Sequence, residues 1–310
     1  MDPGNTAIPH PFAGILPDVT TDALVVIPQS VDAAVDELAR RGDRARILAG
    51  CTDLTTALRH SQEYPDIFII VGNIGALRVI EQTGSKCRVG AAVTMTELSN
   101  SVVVMTQYAA LADAAITIGG VQIRNAATVG GNNCNASPGA DTPPALLALN
   151  AFVEIASHRG RREISLKDFF VGPRRTILQR DELVVSLSIP SHSQSFGSAY
   201  FRLTTRNALD LAVVGAAAAL ELEEDAITIA SSRIALGAVA ATPLLVPEAG
   251  ETLVGKPATL EHFHRAAKYA RDICNPIDDV RASAAYRREI VSVLVRRALA
   301  KATERAARKI

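Results

Sequence analysis

Between residues 23 and 50 the spacing of apolar positions changes twice. "ALVVIP" is a continuous apolar run, Val31, Ala34, Val35 and Leu38 then recur three or four apart, and "ARILAG" returns to a strand-like run. Apolar residues at the middle spacing cover one side of a helix, with Ser30 placed to cap it and Gly42 to end it. The pattern predicts strand, helix and strand: a small βαβ unit ending in Gly50.

From about Tyr64 the pattern breaks into short β-like pieces, "DIFIIVGN", "LRVIEQ" and "KCRVGAAVT", followed by a helix near Gln107 to Ala115. Further on, "FVEIAS" and "RREISL" flank a turn at His158 to Gly160, and "DELVVSLSIP" reads as a closing strand. After Pro190 come two long strand-like runs, "AYFRLTTRNALDLAVVGAAAALELEED" and "AITIASSRIALGAVA", joined by the acidic turn Glu223 to Asp225. The alanines Ala216 to Ala219 suit close packing between layers. A terminal helix carries Tyr286, Ile290, Val293, Leu294 and Ala298 as an apolar stripe, with Arg287, Arg288, Arg296 and Arg297 on its more exposed sides. These shifts divide the chain into residues 1–62, 63–190 and 191–310.

A length of 310 residues with 48% hydrophobic content is enough for two or three domains with real cores. Lys+Arg and Asp+Glu balance at 32 each, which removes the electrostatic case for a nucleic-acid or anionic-membrane surface. The N-terminal stretch lacks a positive region followed by an apolar core, and no apolar run approaches a membrane span, so the expected location is the cytoplasm. Cys51, Cys87, Cys134 and Cys274 are scattered, and no pair has C-x-x-C spacing. The chain therefore lacks the cysteine pattern of an iron–sulfur or zinc site. His262 and His264 read as a solvated helix start rather than a metal pair.

The candidate chemistry lies in two loops. In "AATVGGNNCNASPGADTPPALLAL", Gly130 and Gly131 can take positive φ and present successive N–H groups to an anion. Asn132, Asn133, Asn135 and Ser137 add uncharged donors, suited to a diphosphate and sugar hydroxyls. Asp141 and Thr142 stand before Pro143 and Pro144, where a short helix should begin with Asp141 as its cap. The second loop follows the βαβ strand: Gly50, Thr52 and Asp53 again leave amides free for an anion. Two such loops from different domains point to one dinucleotide between them. Neither G-x-G-x-x-G nor G-x-x-x-x-G-K-[ST] occurs in the chain, so neither a Rossmann nor a P-loop site is supported.

At these residues the chain resembles a known family. "ILAGCTDL", "AATVGGNNCNASPGADTPPALLAL", "VGPRRTILQRDELVVSLSIP" and "RASAAYRREIVSVLVRRAL" together look like the FAD-binding medium subunit of the molybdenum hydroxylases, which include xanthine dehydrogenases and carbon-monoxide dehydrogenase. The resemblance covers nearly the whole chain. It implies an α+β fold: a two-subdomain FAD-binding fold of the vanillyl-alcohol-oxidase (PCMH) type, then a C-terminal domain of a small antiparallel sheet with helices. By position, Ile47, Leu48, Ala49, Gly50, Cys51, Thr52, Asp53 and Leu54 would contact the cofactor with Thr128, Val129, Gly130, Gly131 and Asn132. Asn135 and Asp141 would add polar contacts, Ile118 and Leu178 apolar ones, and Arg202 a cationic one. One departure is Cys51, where relatives commonly carry glycine; a positive φ there would cost the cysteine about 1 kcal/mol.

A flavin brings its own redox chemistry, so no catalytic acid, base or metal ligand is expected of this chain. The resemblance implies an oxidoreductase component whose FAD passes electrons from a large molybdopterin subunit, by way of [2Fe–2S] clusters on a small subunit, to an external acceptor. A dimer of such heterotrimers is the implied assembly. A stand-alone FAD-dependent oxidase or reductase of the same fold is the alternative, and would need an acid–base residue over the ring.

Overall fold

The computed structural model describes residues 23–308 apart from 60, 62, 63 and 207. The N-terminal stretch tested for a leader pattern lies outside the described residues.

The first strand β1 (Leu24–Val26) leads into helix α1 (Val31–Arg41), then strand β2 (Ala45–Leu48), helix α2 (Leu54–Leu58) and strand β3 (Ile67–Ile70). Ser30 caps α1 by accepting from the Ala33 N–H at 3.1 Å, and Gly42 ends it at φ +54°. The βαβ expectation holds for the elements but not for their pairing. The sheet order is β1-β3-β2, all parallel, so β3 inserts between the strands expected to be neighbours. The reason is burial: Ile67, Phe68 and Ile69 are all enclosed, and such a strand belongs at a sheet's centre. A division after residue 62 would cut this sheet, because β3 lies beyond it.

Strands β4 (Ile80–Thr83) and β5 (Lys86–Gly90) precede six short helices: α3 (Met95–Asn100), α4 (Val102–Gln107), α5 (Ala109–Thr117), α6 (Val121–Ala126), α7 (Val129–Cys134) and α8 (Thr142–Ala148). The helix expected at Gln107 to Ala115 is two helices, broken where Tyr108 leaves helical geometry at φ −127°, ψ 44°. Strands β6 (Phe152–Ser157) and β7 (Gly160–Ser165) form the expected hairpin. A small ribbon, β8 (Phe170–Gly172) with β9 (Arg175–Thr176), precedes β10 (Leu183–Pro190). The resulting antiparallel sheet has the order β4-β5-β10-β6-β7. Val31, Ala34, Val35 and Leu38 of α1 share one core with Ile67 and Ile69 of β3 and Leu183 and Val185 of β10, which locks the first two sheets together.

The third region begins with β11 (Phe196–Leu203), β12 (Val214–Leu222), β13 (Ile229–Gly237) and β14 (Leu244–Leu245), an antiparallel sheet in that order. The first long run is thus two strands rather than one. The bend between them is held by the Asp210 carboxylate, which accepts from the backbone N–H groups of Thr205, Arg206 and Leu211. Helices α9 (Pro247–Glu251), α10 (Leu260–Ile273) and α11 (Ala284–Ala307) complete the chain. Ala216, Ala218 and Leu220 face α10 and α11, while Ala217 and Ala219 face the core built around α5, α8 and β10, so β12 is buried on both faces. Arg287, expected on an exposed side of α11, is instead 3% exposed. It donates to Val213 O (2.8 Å) and Ala238 O (3.1 Å) and pairs with Asp279 (2.6 Å). Tyr286, expected in the apolar stripe, is half exposed, and the inner face runs through Val291, Leu294, Val295, Ala298, Leu299 and Ala302. Among the described residues, no helix is long and apolar enough to cross a membrane.

Candidate functional site

The loop after β2 and the segment before α7 meet directly. A Cβ on Gly50 would lie 1.9 Å from Ala126 O, so only glycine allows this approach. Next to it Cys51 takes φ +60°, the left-handed conformation that a glycine would adopt without strain. Among the described residues the backbone N–H groups of Cys51, Thr52 and Asp53 find no acceptor in the chain. They remain available to an anion. Burial pushes the Cys51 thiol up, and that of Cys134 up to about 12, so both stay protonated at neutral pH.

The second loop is built differently from the expectation. Gly130 and Gly131 do not take positive φ; they lie inside α7, whose start is capped by the Thr128 hydroxyl accepting from Gly131 N–H at 3.1 Å. Val129 N–H donates to Val93 O and Gly130 N–H to Ala91 O, so these amides are already satisfied within the protein. Glycine is needed at 130 for closeness rather than for φ: an added Cβ would meet Ala91 Cβ and O at 2.6 Å. What this side offers a ligand is side-chain chemistry. Asn132 Oδ1 accepts from Thr142 Oγ1 (2.6 Å), leaving its Nδ2 without a partner among the described residues, while Asn135 Oδ1 accepts from Arg174 (3.0 Å).

These walls enclose a cavity of about 770 Å³, within the range of pockets that hold cofactors. Ile47, Ala49, Gly50, Cys51, Thr52, Asp53 and Leu54 line one side. Thr128, Gly130, Gly131, Asn132, Asn135 and Asp141 line another, and Ile118, Leu178 and Arg202 complete the walls. Leu48 and Val129 do not reach it, since both point into the protein interior. The structure adds Ala91 and Ala92, Gly119 and Ile123, Arg174, the segment Leu209 to Leu211 and Arg281. The Gly119–Gly120 pair was a legible signal for one of these walls; Arg281 reaches the cavity only through the tertiary fold.

Asp141 is not a side-chain helix cap. Its carboxylate accepts from Tyr200 OH and from Arg202 Nη1, both at 2.7 Å, and the Asp141 and Arg202 side chains are only 7% and 6% exposed. Burial pushes the Asp141 carboxyl up to about 6, against the opposing pull of Arg202 and the Tyr200 hydroxyl. Asp210 is spent on its own loop, whose N–H and hydroxyl groups hold its carboxyl below the usual range. The buried carboxylates at the cavity are therefore engaged within the protein, Asp141 with Tyr200 and Arg202 and Glu182 with Arg162.

The donor set fits FAD. Three free amides and the Asn132 amide group suit a diphosphate and ribityl chain, while Ile118, Ile123, Leu178, Leu183, Leu209 and Leu211 supply apolar wall for a ring system.

Two family models match the chain: the FAD binding domain in molybdopterin dehydrogenase over residues 19–192, and the CO dehydrogenase flavoprotein C-terminal domain over residues 199–302. The chain is 33% identical to the carbon monoxide dehydrogenase medium chain of Hydrogenophaga pseudoflava, over 90% of this chain and 96% of that one. It is 31% identical to the putative xanthine dehydrogenase FAD-binding subunit of Escherichia coli strain K12, over 86% and 91%. A solved carbon monoxide dehydrogenase from Hydrogenophaga pseudoflava, one lacking the Mo-pyranopterin moiety of the molybdenum cofactor, superposes with a TM-score of 0.87 at 32% identity, covering 91% of this chain and 98% of that chain. Fold, cavity and sequence agree, and the chain belongs to the FAD-binding medium subunits of the molybdenum hydroxylases, the oxidoreductase family of carbon monoxide dehydrogenase and xanthine dehydrogenase.

Proposed function

We propose that this chain is the electron-output subunit of a three-subunit molybdenum hydroxylase. It receives electrons from partners carrying molybdopterin and [2Fe–2S] clusters and hands them to an external acceptor. The assembly is a dimer of heterotrimers working in the cytoplasm. The observation that carries this reading is a cavity equipped to hold a flavin dinucleotide while its buried acid–base groups are consumed in internal bonds.

Bound FAD supplies the redox chemistry. The chain's own part is to bind and orient. The amides of Cys51, Thr52 and Asp53 together with Asn132 take the diphosphate and ribityl oxygens, Asn135 adds a further polar contact, and Ile118 and Leu178 border the ring. Asp141 and Arg202 close the same end of the site. In this arrangement no residue among the described ones at the cavity moves a proton during turnover, which separates it from a stand-alone oxidase.

The test is to purify the chain alone and with its two partner subunits, then follow flavin reduction by candidate N-heteroaromatic, aldehyde and carbon monoxide substrates. Reduction is expected only in the complex, and acceptor reduction should vanish when FAD is stripped and return when it is restored. Full acceptor reduction by the stripped complex would overturn the assignment. Substrate turnover by the isolated chain would favour the stand-alone enzyme.

A further inference from the structure

The guanidinium of Arg202, on the cavity wall, is tied to three groups of the protein. Its Nη1 donates to Asp141 Oδ2 (2.7 Å) and Asp210 O (3.4 Å), and its Nη2 to Thr117 O (2.5 Å). One side chain thus ties together three walls of the cavity. They are the end of α5 beside Ile118, the start of α8, and the bend between β11 and β12. Alternation along β11 extends the seam, because Ser198, Tyr200 and Arg202 point the same way. Ser198 Oγ accepts from Ala110 N–H (3.1 Å), and Tyr200 donates its backbone N–H to Asp113 (3.1 Å) and its hydroxyl to Asp141. The α5 helix is laid along the strand from one end to the other.

Resting on the reading of the cavity as the FAD site, we propose that Arg202, with Asp141 and Tyr200, is a latch that holds the C-terminal domain closed over the cavity. Its role is to position and retain the cofactor rather than to touch the reacting ring. The same interface carries a second ion pair, Asp113 with Arg305 (2.6 and 2.9 Å), and neither of those residues lines the cavity. It provides an internal comparison: a contact that binds the same two domains but does not close the site.

The experiment loads the full chain with FAD and measures cofactor release from recovery of flavin fluorescence, together with the visible circular dichroism of the bound flavin. Arg202→Met leaves Asp141 buried without its cation, and release should accelerate on the order of tenfold or more, with an altered dichroic spectrum. Tyr200→Phe removes only the hydroxyl and should shift both readouts in the same direction by less, which keeps the proposal testable should Arg202→Met fail to fold. Arg305→Met, which breaks the pair with Asp113 but leaves the Asp113 bond to Tyr200 N–H in place, should lower the urea midpoint while leaving release within about twofold of the parent, as expected for a partly exposed pair away from the ligand. Release at the parental rate with an unchanged spectrum in both latch variants would overturn the proposal. So would Arg305→Met matching Arg202→Met, because the effect would then be general adhesion between domains. A parent chain that holds no FAD would overturn the cavity reading itself, and that result precedes any variant.

Discussion

At the scale of single residues, Cys51 and Asp141 both hold positions that cost free energy. Cys51 sits at φ +60°, where an L side chain is disfavoured by about 1–2 kcal/mol and glycine is not. Part of that gain is offset by the greater freedom of glycine in the unfolded chain. Cys51→Gly should therefore stabilise the chain by roughly 0.5–1 kcal/mol and tighten FAD binding, read from urea unfolding and fluorescence titration. A destabilised variant would sink the idea, and would mean that thiol packing outweighs the backbone strain.

The Asp141 carboxyl titrates at about 6 in the folded chain and near 3.9 when unfolded. The folded state holds the proton more tightly. This group's contribution is therefore fully present below about pH 4 and is lost as pH rises through about 6, some 2–3 kcal/mol in all. Asp141→Asn removes the titration. Whatever constant offset comes from leaving Arg202 beside an amide, the stability difference between variant and parent should move in the variant's favour between pH 4.5 and 7.5. Urea midpoints across that range decide it, and a flat difference would contradict the raised carboxyl. Asp279 has the opposite sign. Burial pushes its carboxyl up, but Arg281 and Ala282 N–H groups and the Arg287 guanidinium outweigh that and bring it down to about 2, so its contribution is lost only as pH falls below about 4. The two windows do not overlap.

At the scale of elements, periodicity was a good guide wherever one face of an element met one core. The α1 helix was legible from its stripe and caps, and the β6–β7 hairpin from its turn. It failed where pairing depended on distant sequence. Nothing local in "DIFIIVGN" says that β3 enters between β1 and β2; that follows from its burial on all sides. The run from 199 to 225 concealed a bend because Thr205 and Asp210 make their turn with side-chain hydrogen bonds rather than with a Gly-Pro signal. The two-glycine loop was correctly singled out and wrongly explained: Gly130 is glycine because Ala91 lies against it, a tertiary fact, whereas left-handed backbone at the site falls on Cys51, Gly119 and Leu209. Likewise Asp141 holds the cap position but spends its carboxylate on Tyr200 and Arg202, which arrive from 59 and 61 positions away.

At the scale of the whole molecule, the cavity belongs to no single sheet. Its walls come from the loop after β2 in the parallel sheet, from α7, Asp141 ahead of α8 and the start of β10 around the antiparallel sheet, and from β11 and the residues before α11 in the C-terminal region. A ligand that touches all of these binds only the arrangement in which they are assembled, and so stabilises the whole molecule rather than one loop. With FAD at 100 times its dissociation constant the gain is about 2.7 kcal/mol. Hydrogen exchange of the full chain with and without FAD should then show joint protection of β2, of residues 128–135 and of residues 202–211, with the loss of protection on FAD removal reaching the α5–β11 seam. Protection confined to the loop at Cys51 to Asp53 would mean that the C-terminal region is closed independently of the cofactor. Protection that spreads along the seam in the parent chain but stops short of it in Arg202→Met would identify the guanidinium as the connection through which the cavity and the third sheet respond together.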